Sequence, residues 1–326
     1  MGRAGHIATA VAAVALTGMA WAQAYTSDGD ALARSNLTII APAGVGGGWD
    51  GFSRESQAVM RAENIVNNVK VVNIPGAAGT IGLRQLVQMD GDATTIMATG
   101  AVMVGGVEIN RSTVGLQDAT PLVRLADDYV IVVVPNDSPY QNMQDVIAAW
   151  EANPSGFSIA GGSLGSTEHL TIAEVGRQIG IEPKTQNYVA YAGGGEVLSA
   201  LLSHTTDIGV SGYQDFADQI ESGTMRAIGI SSAERISAAP DIPTLIEQNI
   251  PVETSNWRGF LAPPGITDEE KAALVEILTE MEQSEEWKKA VDRNGWFGTY
   301  MAGQELDDFI AEESVRSREL VEELGL

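Results

Sequence analysis

The chain has 326 residues, 44 % of them apolar and 19 % charged, with 43 acidic side chains against 19 basic ones and a formal charge of −24. That length suits two lobes of ~100–200 residues, and the composition excludes a disordered or fibrous chain. So acidic a surface repels a phosphate backbone and excludes nucleic acid as a partner, and the lack of cysteine excludes disulfides, thiolate nucleophiles and thiolate zinc sites.

Arg3 and His6 precede an apolar run over residues 7–19, and Ala20, Ala22 and Ala24 offer small-x-small cleavage sites. Together they predict a secretory signal peptide over 1–24 and an exported mature protein. The run is shorter than the ~20 residues a bilayer span needs, and no later segment reaches that length.

From residue 37 the chain alternates β-branched runs with helical patterns. Strands are predicted over 37–41, 69–73 and 94–99, with helices over 51–63 and 79–89. This βαβαβ order implies a parallel sheet with crossover helices. The continuous apolar run 129–135 reads as a buried strand, closed by the turn at 136–139. A second α/β stretch follows, with helices over 143–151, 167–179 and 195–203. Its strands fall over 158–160, 187–189, 207–210 and 225–230. The apolar strand 257–262 ends at Pro263-Pro264-Gly265. Everything after it reads as helical: a capping box at 267–270 opens a helix to about residue 281, and two more cover 284–293 and 303–324. The order predicts an α/β protein of two lobes. The first spans 25–126 plus 256–326 and the second 127–255, with crossings near 125–128 and 254–257.

The turns carry the functional signal. Pro42-Ala43-Gly44-Val45-Gly46-Gly47-Gly48-Trp49-Asp50 lies between a strand and a helix. Glycine lets a ligand approach the backbone, and a helix start offers unpaired N–H groups with a partial positive charge. The product is an anion site that needs no basic side chain. The turn at 73–80, with Pro75-Gly76-Ala77-Ala78-Gly79, repeats the arrangement at the neighbouring strand end, the edge where open α/β sheets bind ligands. In the second lobe, Gly161-Gly162-Ser163-Leu164-Gly165-Ser166-Thr167 and Gly193-Gly194-Gly195-Glu196 supply further donors. Paired across a cleft, these turns would enclose an anion in neutral donors despite the acidic surface, which salt screens.

Other motifs are weaker. Gly46-x-Gly48-x-x-Gly51 fits a dinucleotide fingerprint, but the second strand ends in Asn73 rather than in an acid for a ribose. Gly161-x-Ser163-x-Gly165 fits a nucleophile elbow, and its chain order would need His204 as base, which leaves an exported serine hydrolase as an alternative. Neither an H-x-x-H pair nor an EF-hand-like loop is present, so neither metal nor cofactor is expected. Arg54, Arg84 and Arg258 are open to pairing with ligand carboxylates or with surface acids.

The ordered set of segments resembles the substrate-binding proteins of tripartite tricarboxylate transporters over about residues 37–265. It comprises the two glycine turns at 42–50 and 75–79, the run 129–135, Gly162-Ser163 with Gly165-Ser166, and Tyr188-Val189-Ala190-Tyr191 before Gly193-Gly194-Gly195-Glu196. Ile242-Pro243-Thr244 with Glu247, and Arg258-Gly259-Phe260, complete it. The resemblance implies a monomeric, two-lobed periplasmic binding protein of the type II class with two crossing hinge strands and no catalysis. It would capture a small carboxylate and pass it to a membrane permease. A ligand-sensing subunit for a membrane kinase remains the alternative within that reading. Carried over by position, the implied ligand contacts are Ala43, Gly47, Gly48, Trp49 and Asp50, then Gly76, Ala77, Ala78 and Gly79, with Ser163, Ser166, His169, Gly193 and Gly194 from the second lobe. Gly-Gly-Gly-Trp-Asp resembles the citrate and tricarboxylate branch. Asp50 would repel an anion, so its expected role is to fix the turn or to accept from a ligand hydroxyl.

Overall fold

The computed structural model describes residues 32–191 and 193–326. The expected signal peptide at 1–24 lies outside the described residues, as does Ala192.

Two mixed sheets build two lobes. In the first, β1 (Asn36–Ala41), β2 (Asn68–Asn73) and β3 (Thr95–Gly100) are parallel, linked by α1 (Gly48–Ala62) and α2 (Thr80–Val87). After β3 come α3 (Ala101–Ile109) and β4 (Thr120–Asp127), and the chain crosses to the second lobe. There β5 (Val130–Pro135), α4 (Met143–Ala152), β6 (Ser158–Gly161), α5 (Thr167–Gln178) and β7 (Asn187–Ala190) are followed by α6 (Gly194–Leu202) and β8 (Ile208–Gly212). The short α7 (Ala217–Glu221) and β9 (Met225–Ile230) complete the lobe. The strand order is β7-β6-β8-β5-β9. The chain then returns as β10 (Arg258–Ala262), which inserts antiparallel between β3 and β4 of the first sheet. Last come α8 (Asp268–Gln283), α9 (Glu285–Asn294), β11 (Phe297–Ala302) and α10 (Gln304–Leu324).

The two crossings are bonded to each other. Asp128 N donates to Asn256 O at 3.3 Å, and Asn256 N donates to Asp128 O at 2.7 Å. A two-bond exchange of this kind fixes where the chain passes between lobes while leaving few residues to bend.

β5 shows how sequence becomes packing. Helices cover both faces of its sheet, so every residue of the strand is buried. Val130, Val132 and Val134 face one layer with Trp150, Phe157 and Ile172. Ile131 and Val133 face the other, with Val197, Leu201 and Phe216. The strand's two-residue period thus feeds two cores at once. In the first lobe the C-terminal helices pack back on α1. Phe52 stacks on Phe260 at 5.0 Å and meets the edges of Trp287 and Trp296. The last helix also reaches the second lobe, where Arg177 lies 3.8 Å from Glu319 and 3.7 Å from Glu323.

Three expectations are corrected. The stretch after β10 is not all helix, because Phe297–Ala302 forms an edge strand against β4. Helix α3 and strand β4 lie in a segment to which no element was assigned. And α1 begins at Gly48, three residues before the predicted start at 51, so Gly48, Trp49 and Asp50 form its first turn.

Candidate functional site

The first turn is held from inside. Gly46 adopts φ +85°, a left-handed conformation that favours glycine. Its N–H donates to Asp50 Oδ2 at 2.8 Å, while Asp50 Oδ1 accepts from Arg54 Nε at 2.9 Å and from Asn73 Nδ2 at 2.8 Å. The Arg54 bond first, helped by Gly46 and Asn73 against the opposing effect of burial, holds the Asp50 carboxyl near a pKa of about 2. These hydrogen bonds are all internal to the lobe, which marks Asp50 as the turn's fastening rather than as a ligand acceptor. Asn73 Nδ2 also donates to Ala43 O at 3.0 Å. The residue that argued against a nucleotide site thus ties the two turns together.

The second turn is wound left-handed over four successive residues: Gly76 (φ +129°), Ala77 (+49°), Ala78 (+51°) and Gly79 (+88°). An alanine in that region costs ~1–2 kcal/mol, so packing must impose it. Two close contacts do. A Cβ at Gly106 of α3 would stand 2.6 Å from the Ala78 Cβ, and one at Gly79 would stand 2.9 Å from the Trp49 ring. The Trp49 ring therefore packs directly against the second turn at Gly79. Residues 76–78 are exposed and do not line the cavity described next, and Gly79 is sealed beneath Trp49.

Between the lobes lies a cavity of about 390 Å³. Ala43, Gly48, Trp49 and Val102 wall it from the first lobe. Gly162, Ser163, Ser166, Glu168 and Gly193 wall it from the second, and Asn256 and Arg258 form the hinge side. Of the sequence-derived candidates, the structure brings Ala43, Gly48, Trp49, Ser163, Ser166 and Gly193 together here. Gly47 is the N-cap of α1 and sits behind Ala43, and Gly194 is pressed against Asp215.

His169 is placed differently from expectation. Only 4 % of it is exposed, its Nδ1 accepts the Gly165 N–H at 2.9 Å, and its ring stacks on Tyr188 at 4.2 Å. Burial lowers its pKa to about 4, so it is neutral at physiological pH. The imidazole shapes the second-lobe turn, as does Tyr188, whose hydroxyl donates to Gly162 O at 2.9 Å. The same facts dismantle the nucleophile elbow. Among the described residues Ser163 has no free histidine beside it, and His204 lies past the far end of α6, a helix that spans ~13 Å from its start at Gly194.

The hinge supplies a cation whose role the sequence left open. Arg258 begins β10 and is 9 % exposed, with its guanidinium 5.4 Å from the Trp296 ring centroid. Its Nη1 is buried without a hydrogen-bond partner. An added Cβ at Gly48 would lie 3.7 Å from its Nη2, so the guanidinium reaches across to the first glycine turn. Arg54, by contrast, is committed to Asp50, and Arg84 is exposed on α2 away from the cavity. A helix start, two small hydroxyls and a buried arginine with an unused donor form a site suited to a compact anion.

Residues 53–326 match the family model described as the tripartite tricarboxylate transporter family receptor, TctC. A TctC solute-binding protein from Polaromonas superposes with a TM-score of 0.79 at 23 % identity, over 89 % of this chain and 99 % of that one. MatC of Rhodopseudomonas palustris, solved with malate, gives 0.67 at 20 % identity over 88 % and 99 %. A further R. palustris protein, solved with adipate, gives 0.71 at 20 % identity over 89 % and 97 %. At these identities the likeness is one of fold.

Proposed function

The chain belongs to the tripartite tricarboxylate transporter receptor family, and we propose that it captures a small di- or tricarboxylate between its lobes and delivers it to the family's membrane permease. The family is one of receptors, not enzymes, in keeping with the scattered serine and histidines. The observation that carries the reading is Arg258: a nearly buried guanidinium with an unpartnered Nη1, facing a cavity that the first glycine turn and the second-lobe serines close. A buried cationic donor is costly to leave unpaired, and a ligand carboxylate is the partner that fits its fork. Malate and adipate, bound by the two R. palustris neighbours, set the size of ligand to try first, with citrate and tricarballylate for the tricarboxylate branch.

In this reading the protein works in the periplasm after export. Lobe 1 (25–126 with 256–326) and lobe 2 (127–255) close about the paired crossings, and Gly48, Trp49, Ser163, Ser166 and Gly193 then surround the bound anion. Calorimetric titration of the mature protein with a panel of di- and tricarboxylates tests it. Saturable binding of at least one acid, lost in Arg258→Gln, is expected, and no binding of any carboxylate would overturn the proposal.

A further inference from the structure

At Glu168, Asn256 and Arg258 the main cavity adjoins a second one of about 240 Å³. The walls of this inner pocket carry three carboxylates, Asp128, Glu168 and Asp215, against the guanidinium of Arg258. Asp215 already accepts from the Ser211 hydroxyl at 2.5 Å. Asp128 sits in the crossing itself, and its Oδ1 is buried without a partner, as Arg258 Nη1 is. Two opposite charges thus face one space without those atoms bonding each other. Buried charge is ordinarily paired, so both atoms point to groups brought from outside.

We propose that the inner pocket takes a protonated amine, so that the ligand is an amino-carboxylate held at both signs of charge, Arg258 receiving a carboxylate and Asp128 the ammonium, an inference that rests on the carboxylate-receptor reading above.

The electrostatics favour this over a fully anionic acid. A free tricarboxylate seated on Arg258 would hold its remaining charges towards Asp128, Glu168 and Asp215, and like charges brought together select against a ligand. Burial first, then Asp215 and Glu168, push the Asp128 carboxyl up to about 6, with Arg258 pulling the other way. An arriving cation relieves that strain, and an arriving anion adds to it. A metal ion fits less well. Among the described residues no three Asp, Glu, His or Cys side chains converge as a metal site requires, whereas an ammonium needs only a few acceptors within hydrogen-bond reach.

Matched ligand pairs test the idea without any mutation. Aspartate is succinate with an added amine, and glutamate stands in the same relation to glutarate. Titration calorimetry of the mature protein at pH 7.5 should show one amine-bearing member binding at least ~30-fold tighter than its partner acid. Asp128→Asn, which keeps the side chain's shape, should collapse that gap from both sides, weakening the amine-bearing ligand and tightening the plain diacid that the Asp128 charge opposes. Equal or tighter binding of the plain diacids or of citrate would overturn the amine pocket while leaving the carboxylate receptor intact. A gap that survives Asp128→Asn would overturn the assignment to Asp128. Binding of no acid in the set would overturn both readings together.

Discussion

The first glycine turn and the hinge each bring an aspartate near an arginine, with opposite results. Asp50 accepts from Arg54, Gly46 and Asn73, and its pKa falls to about 2. Asp128 feels Arg258 electrostatically, yet its Oδ1 has no partner and its pKa rises to about 6. Its chain neighbour Asp127 shows how local the contrast is, since it accepts from Arg124 Nε and from the Thr299 hydroxyl, both at 2.9 Å. Charge that is answered inside the fold builds the walls of the cleft. In the proposed reading, charge left unanswered is where the ligand binds, because an unpaired buried ion persists only where something offsets its cost.

The sharpest way to break that contrast is to remove the unanswered charge. Arg258→Gln should weaken carboxylate binding by about 2–5 kcal/mol, roughly 30- to several-thousand-fold in Kd by calorimetry. Because Arg258 also offsets the neighbouring Asp128, Glu168 and Asp215 carboxylates, the unliganded variant should melt slightly lower. A large fall in stability with binding intact would reverse the roles assigned here. Next in size, Gly48→Val would fill the space between the first turn and Arg258, and overpacking of about 1–3 kcal/mol should raise Kd roughly 10- to 100-fold.

The answered charge should behave the other way. Asp50→Asn removes the charge and one of the two oxygens that accept from Gly46, Arg54 and Asn73, and should lower unfolding free energy by about 1–3 kcal/mol in urea melts. Its stabilisation is complete above the ordinary carboxyl value of 3.8 and is lost as pH falls through about 2, so the mutant and the parent should converge at strongly acid pH. The smallest effect belongs to Asp128 in the unliganded protein. Its raised pKa makes the folded state favour the proton, so its contribution is full below 3.8 and is lost as pH rises through about 6. Glu168 on α5, Asp215 after β8 and Arg258 on β10 are the charged groups that face it. Asp128→Asn should flatten that part of the stability profile, and His169, neutral above about 4, should add no inflection between pH 5 and 8.

The glycine turns and the strand at 129–135 were legible from sequence because their signals are local. Gly46 needs its positive φ, and β5 needs an unbroken apolar run. Helix α3 was missed because Ala101-Val102-Met103-Val104-Gly105-Gly106 is apolar or small on all sides and so lacks an amphipathic period. Its glycines answer to distant neighbours: a Cβ at Gly105 would meet the Gly165 carbonyl at 3.1 Å, across the lobes. Strand β4 hides behind Pro121 and Arg124, the latter a buried ion explained by Asp127, by the far Ser255 and by the Phe309 ring beneath it. His169 is implied as a ligand contact only by its position in the family pattern, and the fold alone shows its Nδ1 taken by Gly165. The isolation of Arg258 was beyond reach for the same reason. Whether a charge is paired depends on contacts far apart in sequence, and Asp128 lies on the other crossing.

The most direct measurement is a crystal structure of the mature protein with the tightest-binding carboxylate from the titrations. The account predicts a ligand carboxylate oxygen within hydrogen-bond distance of Arg258 Nη1, in the cavity bounded by Gly48, Trp49 and Ser166. A ligand held elsewhere, with Arg258 Nη1 still unpartnered, would contradict it.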